Sequence, residues 1–131
     1  MPLGNEDNFV RAFIAFCKAE RGTSEHDANF WSFDQLFDIR DDAEQVWALI
    51  LSVLAEDQSI PVVQILSAGP LEDLLSDHGT CVIDRVESEA RKNPAFASLL
   101  GGVWQSSMSQ PIWERVQAVR DRRGWDGVPA A

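Results

Sequence analysis

The stretch Leu66–Pro94, LSAGPLEDLLSDHGTCVIDRVESEARKNP, decides how the chain is interpreted, because it combines two apolar helical stripes with many acidic residues and a histidine. Pro70 is suited to the first position of a helix, and Gly79 is suited to ending it with a left-handed residue. A second apolar stripe then follows over 80–93. The stretch therefore predicts two short helices that are separated by a glycine.

The same helical spacing of apolar side chains continues outward in both directions, and no segment has the alternating pattern of a strand. The turn signals recur at short intervals, which predicts an all-α fold: a compact multi-helix domain of short antiparallel helical hairpins. The regular spacing of turn signals between Ser59 and Arg123 is also compatible with a helix-pair repeat array, although no true internal repeat is present. Further helices are predicted over 5–22, 29–39, 41–57, 61–69, 94–104 and 111–123.

The length of 131 residues predicts a single helical domain over 1–131, with an ordered core over about 5–123 and a loose C-terminal tail over 124–131. An apolar fraction of 45% and a charged fraction of 24% are typical of a globular protein. No apolar run is long enough to span a membrane, and the first residues, MPLGNEDNF, do not resemble a secretory signal. We therefore expect a cytoplasmic protein.

The charge is unevenly distributed. The formal net charge is -10, and residues 1–79 carry fifteen acidic and four basic side chains, whereas residues 80–131 carry six acidic and seven basic ones. Such an acidic surface repels phosphate backbones and anionic membranes and attracts basic partners. The sequence therefore favours a basic protein partner and disfavours nucleic acid and membrane as partners. Acidity that serves only solubility is the alternative.

The polar residues of the central stretch allow a chemical interpretation. A histidine and carboxylates on two packed helices could hold Mn, Fe or Zn, or act as a general base. Neither Glu-x-x-His nor His-Glu-x-x-His is present, and the other histidine, His26, is expected in a polar loop. The candidates for such a site are Glu72, Asp73, His78, Asp84 and Glu87.

A structural interpretation explains the same residues as helix caps and exposed faces, and we prefer it. Glu72 and Asp73 fall in the first turn after Pro70, where negative charge interacts favourably with free backbone amides. Glu87 is placed to pair with Arg91 one turn later. On this interpretation the sequence assigns no catalytic residue, no metal ligand and no cofactor.

The aromatic residues suggest a second kind of site. Phe30, Trp31, Phe33 and Phe37 form a stripe with acidic neighbours, and such stripes are usually core but can form partner-facing patches. Trp104 and Trp113 are expected in the core, as are the thiols of Cys17 and Cys81. The partner-binding candidates are Phe30, Trp31, Asp34, Asp38, Asp41 and Asp42.

Three motifs, AGPLEDLLSDHG, IDRVESEARKNPAFASLLGGVW and PIWERVQ, resemble a family of short bacterial proteins known only as a domain of unknown function. The resemblance covers approximately Ala43 to Val119 and implies a bacterial, cytoplasmic, stand-alone domain, with no role for any residue. The family-like positions are Gly69, Pro70, Glu72, Asp73, His78, Gly79, Asp84, Glu87, Pro94, Phe96 and Trp104.

Three functions remain open from the sequence. The first is a small acidic protein-interaction domain, such as an immunity protein or inhibitor that covers a basic surface of a toxin or nuclease. The second is a metal- or His/carboxylate-dependent enzyme that uses the 72–87 cluster. The third is a structural helical adaptor. The oligomeric state also stays open, and an enzyme is the less favoured class because no catalytic signature is present.

Overall fold

The computed structural model describes residues 6–121, and within that range the regular elements are all helices, which confirms the all-α prediction. The predicted tail over 124–131 lies outside the described residues. No helix in the described range is long and apolar enough to cross a membrane. The α-helices are α1 (Glu6–Lys18), α2 (Ser24–Asp38), α3 (Ala43–Glu56), α4 (Ile60–Leu66), α5 (Glu72–Lys92), α6 (Pro94–Leu100) and α7 (Gln110–Val119), and a π-helical turn (Ser67–Leu71) joins α4 to α5.

The first two helices form a hairpin that is held by aromatic contacts. Thr23 caps α2, because its side chain accepts a hydrogen bond from the backbone N–H of His26 at 3.1 Å. The helix therefore starts earlier than the sequence indicated, and His26 lies on α2 rather than in a loop. Its ring packs against Phe16 of α1, with the ring centroids 4.5 Å apart.

The segment over 60–77 is one continuous helical path, so the prediction that Gly69 ends a helix and Pro70 starts another was wrong. Pro70 lies inside the π-helical turn. Proline in a regular α-helix lacks the N–H for its backbone bond, and its ring collides with the carbonyl four residues earlier. A π-helical turn is wider, which gives the ring room without stopping the helix.

A kink at His78 divides α5 into two helical parts, at the place where the sequence predicted one helix to end and the next to begin. His78 has φ -132° and ψ 24°, which is outside the helical region. Gly79 does not have positive φ, so it is not the left-handed cap that the sequence predicted. A Cβ atom at Gly79 would lie 3.1 Å from Cγ2 of Ile112. The lack of a side chain at Gly79 therefore favours the close approach of α5 and α7 next to the kink.

A single apolar core runs through the helices. α1 packs on α3 and α4, and α5 packs on α3, α6 and α7, so that α5 lies at the centre of the second half of the fold. Phe13 and Phe96 are completely buried at the two sides of this core. Trp47 of α3 meets the ring of Phe96 edge to face, with centroids 5.4 Å apart.

An ion pair joins the last residue of α1 to the end of α3. Nζ of Lys18 lies 2.7 Å from Oδ2 of Asp57. The hydrogen bonds from Lys18 and Ser59 lower the pKa of Asp57 to about 2. The nearby Cys17 thiol is buried as predicted, and burial, with Asp57 adding to the effect, raises its pKa to about 12.

Two side chains that the sequence placed in the core, Trp104 and Cys81, are exposed, and a third, Trp113, packs against the edge of the core. Trp104 is 77% exposed, Cys81 is exposed, and Trp113 is only partly buried, with the guanidinium of Arg120 over its ring. The backbone N–H of Trp104 donates to Oε1 of Glu72 at 2.9 Å. The loop before α7 is thus fixed through its backbone, which leaves the indole on the surface.

Gly79→Val tests the packing of α5 on α7. The added side chain would overlap Ile112, and we expect the free energy of unfolding to fall by about 2 kcal/mol. Urea denaturation followed by circular dichroism measures it. Thr80→Val, at the neighbouring exposed position, should change stability by less than about 0.5 kcal/mol. Combining Gly79→Val with Ile112→Ala should cost less than the sum of the single changes, and strict additivity would contradict the proposed contact.

Candidate functional site

The cleft between the end of α2, the turn before α3, the π-helical turn and the start of α5 is the candidate site. It is open to solvent, and the space within it and at its mouth amounts to about 490 Å³. Its walls are apolar on the α2 side and acidic on the α5 side. The lining residues are Phe33, Leu36, Phe37, Arg40, Val46, Gly69, Pro70, Asp73, Leu74 and Asp77.

The aromatic wall comes from the last two turns of α2. Phe33 and Phe37 lie one turn apart and are 36% and 57% exposed, which is unusual for large apolar side chains. The guanidinium carbon of Arg40 lies 4.0 Å from the centroid of the Phe37 ring, and Nη1 of Arg40 donates to the Phe37 carbonyl at 2.9 Å. The wall therefore already holds one cation by stacking.

The acidic wall comes from the first turns of α5. Asp73 and Asp77 are four residues apart on one helix, so they project from the same face. Partial burial and the negative charges of Asp77 and Glu72 raise the pKa of Asp73. Among residues 6–121, no basic side chain forms an ion pair with either carboxylate. The wall therefore has negative charge that nothing in the described fold neutralises.

His78 fixes the geometry of the cleft from the kink in α5. Its Nε2 lies 2.9 Å from the backbone carbonyl oxygen of Arg40, which can only accept, so Nε2 carries the proton and donates. This bond connects the turn after α2 to α5. The two walls are thus joined at Arg40, whose guanidinium covers the Phe37 ring. His78 positions the two walls relative to each other through this hydrogen bond.

The other members of the 72–87 cluster lie in different surroundings. Glu72 accepts from the Trp104 backbone, as described above. Arg115 of α7 donates from Nε to Glu87 at 2.8 Å and from Nη2 to Asp84 at 2.7 Å. The predicted pairing of Glu87 with Arg91 was therefore wrong about the main partner, because α7 brings a closer guanidinium that lowers the Glu87 pKa.

The cluster is accordingly divided between the cleft and the α5–α7 contact, with the kink at His78 between them. Within the described range, no group of three or more His, Cys, Asp or Glu side chains is arranged to hold a metal ion. The structural interpretation explains Glu72, Asp84 and Glu87, although their partners come from other segments of the chain rather than from local helix ends.

Phe33 and Phe37 of the predicted aromatic stripe line the cleft, and the other residues predicted to face a partner lie around it. Phe30 stacks near Phe33, with centroids 6.1 Å apart, and continues the aromatic row. Trp31 points to another side of α2, where it meets Phe9. Asp34, Asp38 and Asp41 are exposed along the same helix and turn. Asp42 instead caps α3 by accepting from the N–H of Gln45 at 3.1 Å.

Phe33 and Phe37 belong to the aromatic stripe that the sequence suggested as a partner-facing patch, whereas the polar lining residues Arg40 and Asp77 were not assigned to any site. A usable signal existed for Asp77, because its spacing from Asp73 puts both carboxylates on one helix face. The proximity of Asp73 and Asp77 to α2 had no sequence signal, because it depends on the continuous helical path through Pro70. The cleft thus combines parts of two sites that the sequence suggested separately.

A comparison with protein-family models gives a match over residues 19–124, which is most of the chain. The chain belongs to this family, described as a family of unknown function (DUF6869). The assignment confirms the resemblance, and the matched region extends further toward the N-terminus than the motifs did, so that it includes α2 and both walls of the cleft. No curated protein and no solved structure matches the chain.

Asp73→Asn tests the uncompensated charge of the cleft. An acid whose pKa is raised in the folded state destabilises the fold above its unfolded pKa of about 3.9, and the penalty disappears when both states are protonated. We expect the variant to be more stable than the wild type by about 0.5 kcal/mol near neutral pH, a value limited by solvent screening. At low pH the difference should vanish.

Urea unfolding at several pH values measures this difference. Asp84→Asn is the matched control, because it removes the same charge from an aspartate on the same helix that is hydrogen-bonded to Arg115. That variant should be no more stable than the wild type. A loss of stability in Asp73→Asn at neutral pH would show that the Asp73 carboxylate is compensated in the fold.

Proposed function

We propose that this protein is a protein-interaction domain that binds a basic segment of another protein in the cleft. The observation that carries the proposal is the pair Asp73 and Asp77, which face the cleft without a cationic partner in the described fold. An aromatic wall stands opposite them. A lysine or arginine side chain has both parts that such a cleft accepts, an apolar stem and a positive end.

The charge of the surrounding surface supports the same partner. Asp34, Asp38 and Asp41 are exposed beside the cleft, and the whole chain carries a formal net charge of -10. Such a field accelerates the approach of a basic protein and opposes the approach of nucleic acid. The basic side chains Arg85 and Arg115 are engaged by Glu44, Asp84 and Glu87 on other faces of the fold.

Within this class we propose an immunity protein or inhibitor that works in the cytoplasm. Enzymes and toxins that act on nucleic acid have basic surfaces, because they must attract phosphates. An acidic domain with an aromatic-lined cleft is complementary to such a surface and would cover it. The single aromatic row of Phe30, Phe33 and Phe37 would supply the apolar contacts that such interfaces usually have at their centre.

A defined basic peptide tests the binding function. A short peptide of mixed lysine and arginine in a Gly/Ser background should bind the full chain, and an acidic peptide of equal length should not. Because the attraction is largely electrostatic, affinity should fall by about tenfold or more between about 0.05 M and about 0.3 M sodium chloride. Isothermal titration calorimetry measures both, and a two-dimensional amide NMR titration locates the site.

The double variant Asp73→Asn/Asp77→Asn should weaken this binding by at least about tenfold. Glu56→Gln is the charge control, because Glu56 is exposed at the far end of α3, about 15 Å along the helix from Val46. Failure of every basic peptide to shift amide signals around the cleft would refute the proposed function. Concentration-dependent self-association mapped to the same residues would show a second copy as the occupant and would also refute it.

A further inference from the structure

We infer that the side chain which the cleft accepts from its partner is an arginine rather than a lysine. The inference rests on the proposed function and adds the specificity of the same cleft. It follows from the contact that Arg40 makes with Phe37, from the spacing of Asp73 and Asp77, and from the apolar character of the remaining wall.

The first step is the stacking contact in the free protein. The guanidinium of Arg40 lies over the Phe37 ring at 4.0 Å, yet the Phe37 side chain keeps 57% of its surface exposed. The ring therefore has surface left for a second planar group. A guanidinium stacks on aromatic rings through both its charge and its plane, whereas an ammonium interacts as a point charge.

The second step is that Arg40 does not neutralise the acidic wall itself. Its backbone carbonyl is held by His78 and its Nη1 by the Phe37 carbonyl, and it forms no ion pair with Asp73 or Asp77. The two carboxylates thus remain available on the opposite side of the cleft. Arg40 lines the aromatic wall and leaves the acidic wall to an incoming cation.

The third step concerns the number of donors. Asp73 and Asp77 are one helical turn apart, so a group that bridges them must present donors that are spread over several ångströms, which a guanidinium does more readily than a compact ammonium. A guanidinium has five N–H donors in a fixed fork, and it loses less hydration energy than an ammonium when it enters an apolar cleft. Leu36, Val46 and Pro70 make the rest of the cleft such an environment.

Three peptides that differ at one kind of residue test this inference. Short Gly/Ser peptides with two arginines, two lysines or two citrullines are titrated into the full chain by calorimetry. The arginine peptide should bind about tenfold more tightly than the lysine peptide, which corresponds to one stacking contact. The citrulline peptide keeps the shape without the charge, and its binding should be undetectable under the same conditions.

Two variants show which wall of the cleft is responsible for the preference for arginine over lysine. Phe37→Leu keeps an apolar side chain but removes the ring, so it should reduce arginine binding about tenfold and lysine binding much less. Asp77→Asn should weaken both peptides, and Glu56→Gln should weaken neither. Because Phe37 is largely exposed, the Leu variant is expected to fold, and its circular dichroism spectrum verifies this.

The outcomes separate this inference from the proposed function. Equal affinity for the arginine and lysine peptides, or an arginine preference that survives Phe37→Leu, would overturn the inference and leave a general basic-segment function in place. Lack of binding by either charged peptide would overturn both. A tenfold arginine preference that disappears in Phe37→Leu would support both.

Discussion

The fold depends on how the chain passes Pro70 without ending a helix. A proline in the middle of a regular α-helix removes a hydrogen bond and creates a steric conflict. The π-helical turn Ser67–Leu71 avoids the conflict, and α4 therefore continues into α5. This path places Pro70 and Asp73 opposite the end of α2, so the cleft exists because the helix is continuous.

The distribution of ion pairs explains why this cleft is acidic. In the second half of the chain, Arg85 and Arg115 each reach carboxylates on other helices and lock those helices together. Asp57 forms an ion pair with Lys18 in the same way. Asp73 and Asp77 have no such partner in the described fold, and partial burial together with the charges of Asp77 and Glu72 raises the pKa of Asp73. Negative charge that costs stability is typical of functional surfaces.

Much of the fold was predictable from the sequence because it depends on local periodicity. The apolar stripes located the helices, and the predicted boundary before Pro94 correctly separated α5 from α6. The structure adds the reason, because Asn93 accepts hydrogen bonds from the N–H groups of Ala95 and Phe96. The role of Gly79 could not be predicted from local periodicity. A glycine that ends a helix and a glycine that admits Ile112 look the same in one sequence, and only the tertiary contact distinguishes them. The cleft was predictable only in part. The sequence indicated its aromatic and acidic segments, but their proximity depends on a π-helical turn, for which no sequence rule exists.

The π-helical turn also has an evolutionary consequence. Its wider ring contains one residue more than an α-helical turn, so loss of Pro70 would restore a regular helix and leave the flanking segments in phase. A homologue with this deletion could retain its hydrophobic core while the rim of the cleft closes. In any such homologue, the length of the chain at this point would therefore show whether the recess beside the core is kept.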